Sequence, residues 1–260
     1  MAAAALLAAP LLVTAVAPSD GATWTYTGPS GPDFWATIDD SFAVCGSGER
    51  QSPINVMVTP PVWRKSIAGL ARPPVSGVLA PKPAARTVPL ECNSTTSCGL
   101  LKWDGTVHTL ANVHGHTPAE YQLNGVSLPL ELHMVHASAN PMSKVVVGLL
   151  FKFGPANPLL AKLITAQASG APVTVTRNEW RGILRRGSGY CQLQGSLTTP
   201  PCMEGLSWFL QNEVLTASRE QVRAFQSRWA PSGNARPLQP GNNRQVTCYS
   251  PKGHVRRNEG

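Results

Sequence analysis

Two short runs in this chain alternate in a way that suits extended backbone. They are Ala111-Asn112-Val113-His114-Gly115-His116 and Leu130-Glu131-Leu132-His133-Met134-Val135-His136. Residues two apart in a strand point to one face of a sheet. His114 and His116 therefore present both imidazoles on one side, and an antiparallel neighbour carrying His133 adds a third from the same side. Three neutral imidazoles with one position left open form the pattern of a catalytic zinc site rather than a closed structural one. The polar residues just upstream strengthen the reading. Asn112 lies two before His114 and Glu131 two before His133, so each can accept the N–H of the ring nitrogen that does not face the metal. His136, three after His133, points to the opposite face and reads as a packed core histidine.

The rest of the chain suits a strand-rich domain. At 260 residues it can bury one sizeable core. Its 24 prolines and 23 glycines are spread as turn punctuation, with no repeat and no linker-like stretch. Runs that read as strands are 128–135, 145–151, 172–176 and 206–210. One helix is predicted from Ser218, where Gln221 completes a capping box and Val222, Phe225 and Trp229 recur at helical spacing. The fold class is therefore mainly β (α+β), a single domain with few short helices. The formal charge of +8 comes from scattered basic residues, with small clusters at Arg181, Arg185, Arg186 and at Arg256, Arg257. That distribution is a solvated basic surface, and no nucleic-acid partner is expected.

Further motifs lie on either side of the histidines. Gln51-Ser52-Pro53-Ile54-Asn55 stands upstream, and Gly195-Ser196-Leu197-Thr198-Thr199-Pro200-Pro201-Cys202 downstream. His116-Thr117-Pro118-Ala119-Glu120 and Asn124-Gly125 fall between, and Arg236-Pro237 and Asn243-Arg244-Gln245 near the end. From about Trp24 to Ser250 this order resembles the α-class carbonic anhydrases. The resemblance implies a large twisted, mostly antiparallel central sheet with a metal cleft on one face. It implies a zinc lyase (carbonate dehydratase) that reversibly hydrates carbon dioxide to bicarbonate and a proton, with Zn2+ held by His114, His116 and His133. It also implies that the backbone of Asn243 orients the remaining ligand. The Thr198 hydroxyl would accept a hydrogen bond from the attacking hydroxide and donate one to Glu120, which accepts only when ionised. Thr199 would contact bicarbonate. Val135, Val146, Leu197, Leu206 and Trp208 would form the apolar wall for carbon dioxide, although burial in the core explains them equally. Esterase side activity is an expected accompaniment. A non-catalytic binding module on the same fold is the rival reading, against which stand the retained histidines, Thr198 and Glu120.

Residues 1–22 read as a secretory signal, an apolar run without charge up to Ala17 and too short to span a membrane. A catalytic domain over 23–250 and a basic tail over 251–260 follow, with no transmembrane anchor expected. Six cysteines agree with a secreted or otherwise extracytoplasmic location. The resemblance implies a disulfide between Cys45 and Cys202, tying the N-terminal segment to the Thr198 loop. Cys92 with Cys98 and Cys191 with Cys248 are candidate pairs, free thiols being the alternative. Asn93-Ser94-Thr95 is a glycosylation sequon.

The chain departs from the family pattern in three places. No histidine stands in the stretch 92–98, where fast members carry a proton shuttle. His108 shares strand parity with His114 but lies about 20 Å away at ~3.3 Å per residue, too far for direct relay. Val113 and Gly115 occupy positions that usually hold aromatics, and Tyr121 replaces a histidine that commonly follows Glu120. Trp24 and Tyr26 match an N-terminal aromatic pair.

Overall fold

Strand alternation sorts the core into two sides. Along Lys144–Phe153, Val145, Val147, Leu149 and Phe151 enter one buried cluster, and Val146 and Leu150 enter another. The computed structural model describes residues 23–58, 76–82, 87, 89–92, 98–184, 188–227 and 232–249. The expected signal segment, the Asn93 sequon, Arg185, Arg186, Trp229 and the C-terminal tail lie outside the described residues.

In chain order the strands are β1 (Asn55–Val56), β2 (Gly77–Pro81), β3 (Leu90–Cys92), β4 (Leu100–Trp103), β5 (Thr106–His116), β6 (Gln122–Leu123) and β7 (Leu130–Ala137). They continue with β8 (Lys144–Phe153), β9 (Val173–Val175), β10 (Tyr190–Ser196), β11 (Glu204–Gln211), β12 (Leu215–Ala217) and β13 (Thr247–Tyr249). The helices are α1 (Trp35–Ile38), α2 (Val44–Ser47), α3 (Pro158–Ser169), α4 (Arg177–Ile183) and α5 (Arg219–Gln226). One large sheet runs β13-β10-β11-β8-β7-β5-β3-β2-β9, with β12 also on β8 and β4 also on β5. Most pairings are antiparallel, as expected. β8 pairs parallel with both β11 and β12, so the sheet is mixed.

β7 begins at Leu130 rather than Leu128, because Pro129 has no N–H to give to a ladder. The predicted 172–176 strand shortens to β9 because Thr176 leaves it to cap α4. Sequence reasoning does not place α3 or α4, although both carry start signals. Asn157 caps α3 ahead of Pro158, and Thr176 with Glu179 forms a capping box on α4. The expected box on α5 is present, with Val222 and Phe225 buried.

A bulge in β5 bears directly on the site. The register against β7 slips between Leu110 and Asn112. An extra residue on one strand reverses the facing of everything beyond it. Leu110 and Val113, three apart, thus enter the same buried cluster. His108 therefore loses the parity with His114 that its even spacing implies. It is buried, with Nε2 3.0 Å from the Ser143 hydroxyl.

All six cysteines are paired: Cys45–Cys202, Cys92–Cys98 and Cys191–Cys248. Three disulfides suit an oxidising compartment. Among the described residues no helix is long and apolar enough to cross a membrane.

Candidate metal centre

His114 and His133 are direct cross-strand partners, and His116 stands opposite Glu131. The three ring centroids lie 5.1, 5.2 and 4.5 Å apart. One nitrogen from each ring falls within 4.8 Å of the others. The hydrogen bonds identify which nitrogens these are. His114 Nδ1 donates to Asn112 Oδ1 at 2.9 Å, His116 Nδ1 to the Asn234 carbonyl at 2.7 Å, and His133 Nε2 to Glu131 Oε1 at 2.9 Å. That leaves Nε2 of His114, Nε2 of His116 and Nδ1 of His133 as bare acceptors facing a common point. His116 Nε2 is buried without a hydrogen-bond partner. Burial pushes all three imidazoles down from their ordinary pKa. Neighbouring histidines add to this for His114 and His133, while the Asn234 carbonyl and Glu131 partly offset it for His116. Neutral imidazoles, each with its second nitrogen held, are the donor set that zinc requires.

The partner of His116 corrects one expectation. It is the carbonyl of Asn234, not that of Asn243, which is exposed in a turn at φ 54°. Asn234 is fully buried and straddles the end of β5. Its Nδ2 donates to the Gly115 carbonyl, and its Oδ1 accepts from Thr117 N–H, both at 2.9 Å. Gly233 lets the chain come this close, since a Cβ there would lie 1.9 Å from the Thr117 carbonyl oxygen. No local motif around Asn234 marks it in the sequence.

Two glycines admit side chains that support the ligands. A Cβ on Gly148, opposite His133, would come within 3.0 Å of Glu131 Oε1 and 2.5 Å of Leu210. A Cβ on Gly115 would meet the Phe225 ring at 2.9 Å. The aromatic missing from the strand is thus supplied by α5, packed behind the backbone that carries His114 and His116.

Glu131 uses its second oxygen to accept N–H groups from Glu120 and Tyr121, both at 2.9 Å. Burial raises its pKa to about 7, against those peptide donors. Glu120 is buried in a polar knot. Its Oε1 accepts Arg236 N–H at 2.9 Å and lies 3.4 Å from His116 Nδ1. Burial raises its pKa well above the usual carboxylate range, the Arg236 N–H opposes this, and the Thr198 hydroxyl also pulls it down. Glu120 Oε2 has no completed hydrogen bond, and the Thr198 hydroxyl is the side-chain donor beside the carboxylate.

The Thr198 loop is held from several sides. Ser52 and Ser196 exchange bonds, Ser52 N–H to Ser196 Oγ at 2.8 Å and Ser196 N–H to Ser52 Oγ at 3.1 Å. Tyr121 donates to Ser52 Oγ at 2.6 Å, and the Trp208 indole donates to the Ser196 carbonyl at 3.0 Å. Cys202 anchors the loop to Cys45, and its carbonyl accepts from Gln51 Nε2. The Arg236 guanidinium gathers Gln51 Oε1 and the carbonyls of Ser52 and Cys45. Thr198 is consequently buried, while Thr199 is half-exposed. Sequence reasoning lists the motifs around Ser52, Tyr121 and Arg236 without assigning these bonds.

Val135 pairs with Val146, and Val146 with Trp208 across the parallel neighbour. Val146, Leu206 and Trp208 belong to one buried cluster, against which Val135 and Leu197 pack. The Trp208 ring sits 4.8 Å from that of His133. Trp24 and Tyr26 stack edgewise on Trp35.

Residues 30–250 match the model of the eukaryotic-type carbonic anhydrases. The chain belongs to the carbonic anhydrase family. A carbonic anhydrase from Pectobacterium atrosepticum is 32% identical over 231 residues, covering 88% of this chain and 91% of that one. An α-carbonic anhydrase from Thermovibrio ammonificans, solved with the inhibitor sulfanilamide, superposes with a TM-score of 0.71 at 29% identity, covering 87% of this chain and 99% of that one. A dioscorin solved with ascorbate superposes with a TM-score of 0.76 at 29% identity, covering 89% and 100%. Within this carbonic anhydrase family fold, the histidine cluster lies on the face shared by Glu131, His133 and Val135.

Proposed function

We propose that the protein is a zinc-dependent, extracytoplasmic carbonic anhydrase that reversibly hydrates carbon dioxide to bicarbonate and a proton. The observation that carries this is the convergence of three neutral imidazoles, each fixed through its other nitrogen. His114, His116 and His133 would hold the metal. Bound zinc would bring the pKa of its water to about 7, as is known for carbonic anhydrases themselves, and its charge would favour ionised Glu120 and Glu131 over the protonated forms that burial alone favours. Asn112, Asn234 and Glu131 fix the ligand tautomers, so ligand geometry costs no reorganisation during turnover. Thr198 donates its hydroxyl proton to Glu120 and is left as an acceptor toward the nucleophile. That fixes the direction of the remaining lone pair toward the substrate carbon. Val135, Val146, Leu197, Leu206 and Trp208 offer the uncharged substrate an apolar surface, and Thr199 a polar contact for bicarbonate. The proton leaves without a histidine shuttle, through water and buffer, and hydrolysis of activated esters accompanies the main reaction.

The test is stopped-flow carbon dioxide hydration on protein of measured zinc content. Hydration that disappears on chelation and returns with zinc supports the reading. A full equivalent of bound zinc with no hydration would instead favour a binding module.

A further inference from the structure

Arg50 and Arg244 meet in a groove that shares no residue with the histidine cluster. The groove measures about 450 Å³ and is lined by these two arginines, Glu49, Asn243 and the β10 residues Gln192 and Gln194 among others. The two glutamines are two apart on β10, so their amides share one face, while Leu193 between them enters the core.

Neither guanidinium makes an ion pair among the described residues. The terminal nitrogens of Arg244 reach the carbonyls of Gln194 and Pro240 at 3.3 and 3.4 Å, beyond ordinary N–H···O distances. The nearby Glu204 commits one oxygen to Arg50 N–H and Gln51 Nε2, and the exposed Glu49 is the acidic residue among those lining the groove. Burial lowers the Arg244 pKa, Tyr121 and Glu204 oppose that, and Arg50 adds to it.

Arg244 is half-buried beside the like charge of the exposed Arg50, and an anion placed between them relieves that repulsion. Guanidinium forks match the oxygens of carboxylate, sulfate and phosphate. A volume of about 450 Å³ lies in the range of small-molecule sites and exceeds what one ion fills. Gln194 Nε2 donates to Ser207 Oγ at 3.1 Å and Gln192 Oε1 accepts from the Tyr249 hydroxyl at 3.4 Å, so Gln194 Oε1 and Gln192 Nε2 are the amide atoms left to meet hydroxyl groups. We propose that this groove binds a small oxyanion, either free or carried on a hydroxyl-rich molecule. The site is independent of the carbon dioxide site and of the reading given above.

The experiment is thermal unfolding of the zinc-loaded protein at constant ionic strength, titrated with inorganic phosphate, glucose 6-phosphate or glucose. The expected result is a saturable rise in Tm with a phosphate compound and none with glucose. A larger rise with glucose 6-phosphate than with phosphate assigns the anion to a carrier molecule; equal rises assign it to the free ion. Arg50→Gln and Arg244→Gln should each weaken the effect roughly tenfold or more. Arg50 is exposed, so Arg50→Gln should fold normally and hydrate carbon dioxide at the unchanged rate. It decides the matter even where Arg244→Gln fails to fold. No saturable rise with either phosphate compound, or a rise that survives Arg50→Gln, overturns the proposal.

Discussion

Glu131 holds His133 Nε2 with one carboxylate oxygen and the peptide N–H groups of Glu120 and Tyr121 with the other. One buried side chain thus sets a ligand ring and the backbone at Glu120 together. Glu131→Gln keeps the shape but turns an amide N–H toward one of these donors. Zinc affinity should fall about 10–100-fold, measured by competition with a chromophoric chelator. An unchanged affinity would mean that the ring is held by packing alone.

Thr198→Val removes the hydroxyl and keeps the volume. Carbon dioxide hydration should drop about 10²-fold or more, because the nucleophile loses its orientation. Zinc affinity should stay within about twofold, since the metal-facing nitrogens are untouched. A parallel loss of zinc would place Thr198 in the framework rather than in the chemistry.

Proton export sets the third expectation. The described histidines outside the cluster, His108 and His136, are both buried, and the β5 register slips between His108 and the ligands. Turnover should climb with imidazole concentration and level off once another step limits. A rate indifferent to imidazole would reveal an internal relay.

His136 gives the fold a pH dependence. It is buried on the opposite face from His133, and burial depresses its pKa to about 4, with His108 as a like-charged neighbour. Its folded pKa lies below the unfolded value, so the unfolded chain binds the extra proton first as pH falls. The stabilisation is complete above about pH 6.5 and is lost toward pH 4, amounting to about 3 kcal/mol at most. Denaturant unfolding of the metal-free protein between those pH values should show this slope. His136→Asn should flatten it.

Gly115→Ala places a Cβ 2.9 Å from the Phe225 ring. Overpacking of this kind costs about 1–3 kcal/mol. Zinc dissociation should also quicken, because the displaced backbone carries His114 and His116. In a Phe225→Leu background the added methyl should cost less, a coupling that a double-mutant cycle measures.

Much of the metal centre is legible in the sequence because strand periodicity is local. The offsets Asn112 to His114 and Glu131 to His133 follow from that period, and the structure brings those side chains together. Asn234 is not legible, since it reaches His116 across 118 residues through a loop with no periodic signal. The substitution of Phe225 for an aromatic at position 115 is hidden for the same reason: helix and strand meet only in the folded core. Helices α3 and α4 show the opposite case, having readable caps at Asn157 and Thr176 that follow closely on strand-like runs.

The bulge before Asn112 has a consequence for how this chain tolerates insertions and deletions. Ahead of it, β5 buries His108 and Leu110 as packing; beyond it, the even-numbered positions carry the ligands instead. Removing Ala111 would restore simple alternation and force a choice, either core residues or histidines turned to the wrong side. A single supernumerary residue acts as the phase shift between two periodic codes written on one strand, so a one-residue length change there should be more damaging than most substitutions around it.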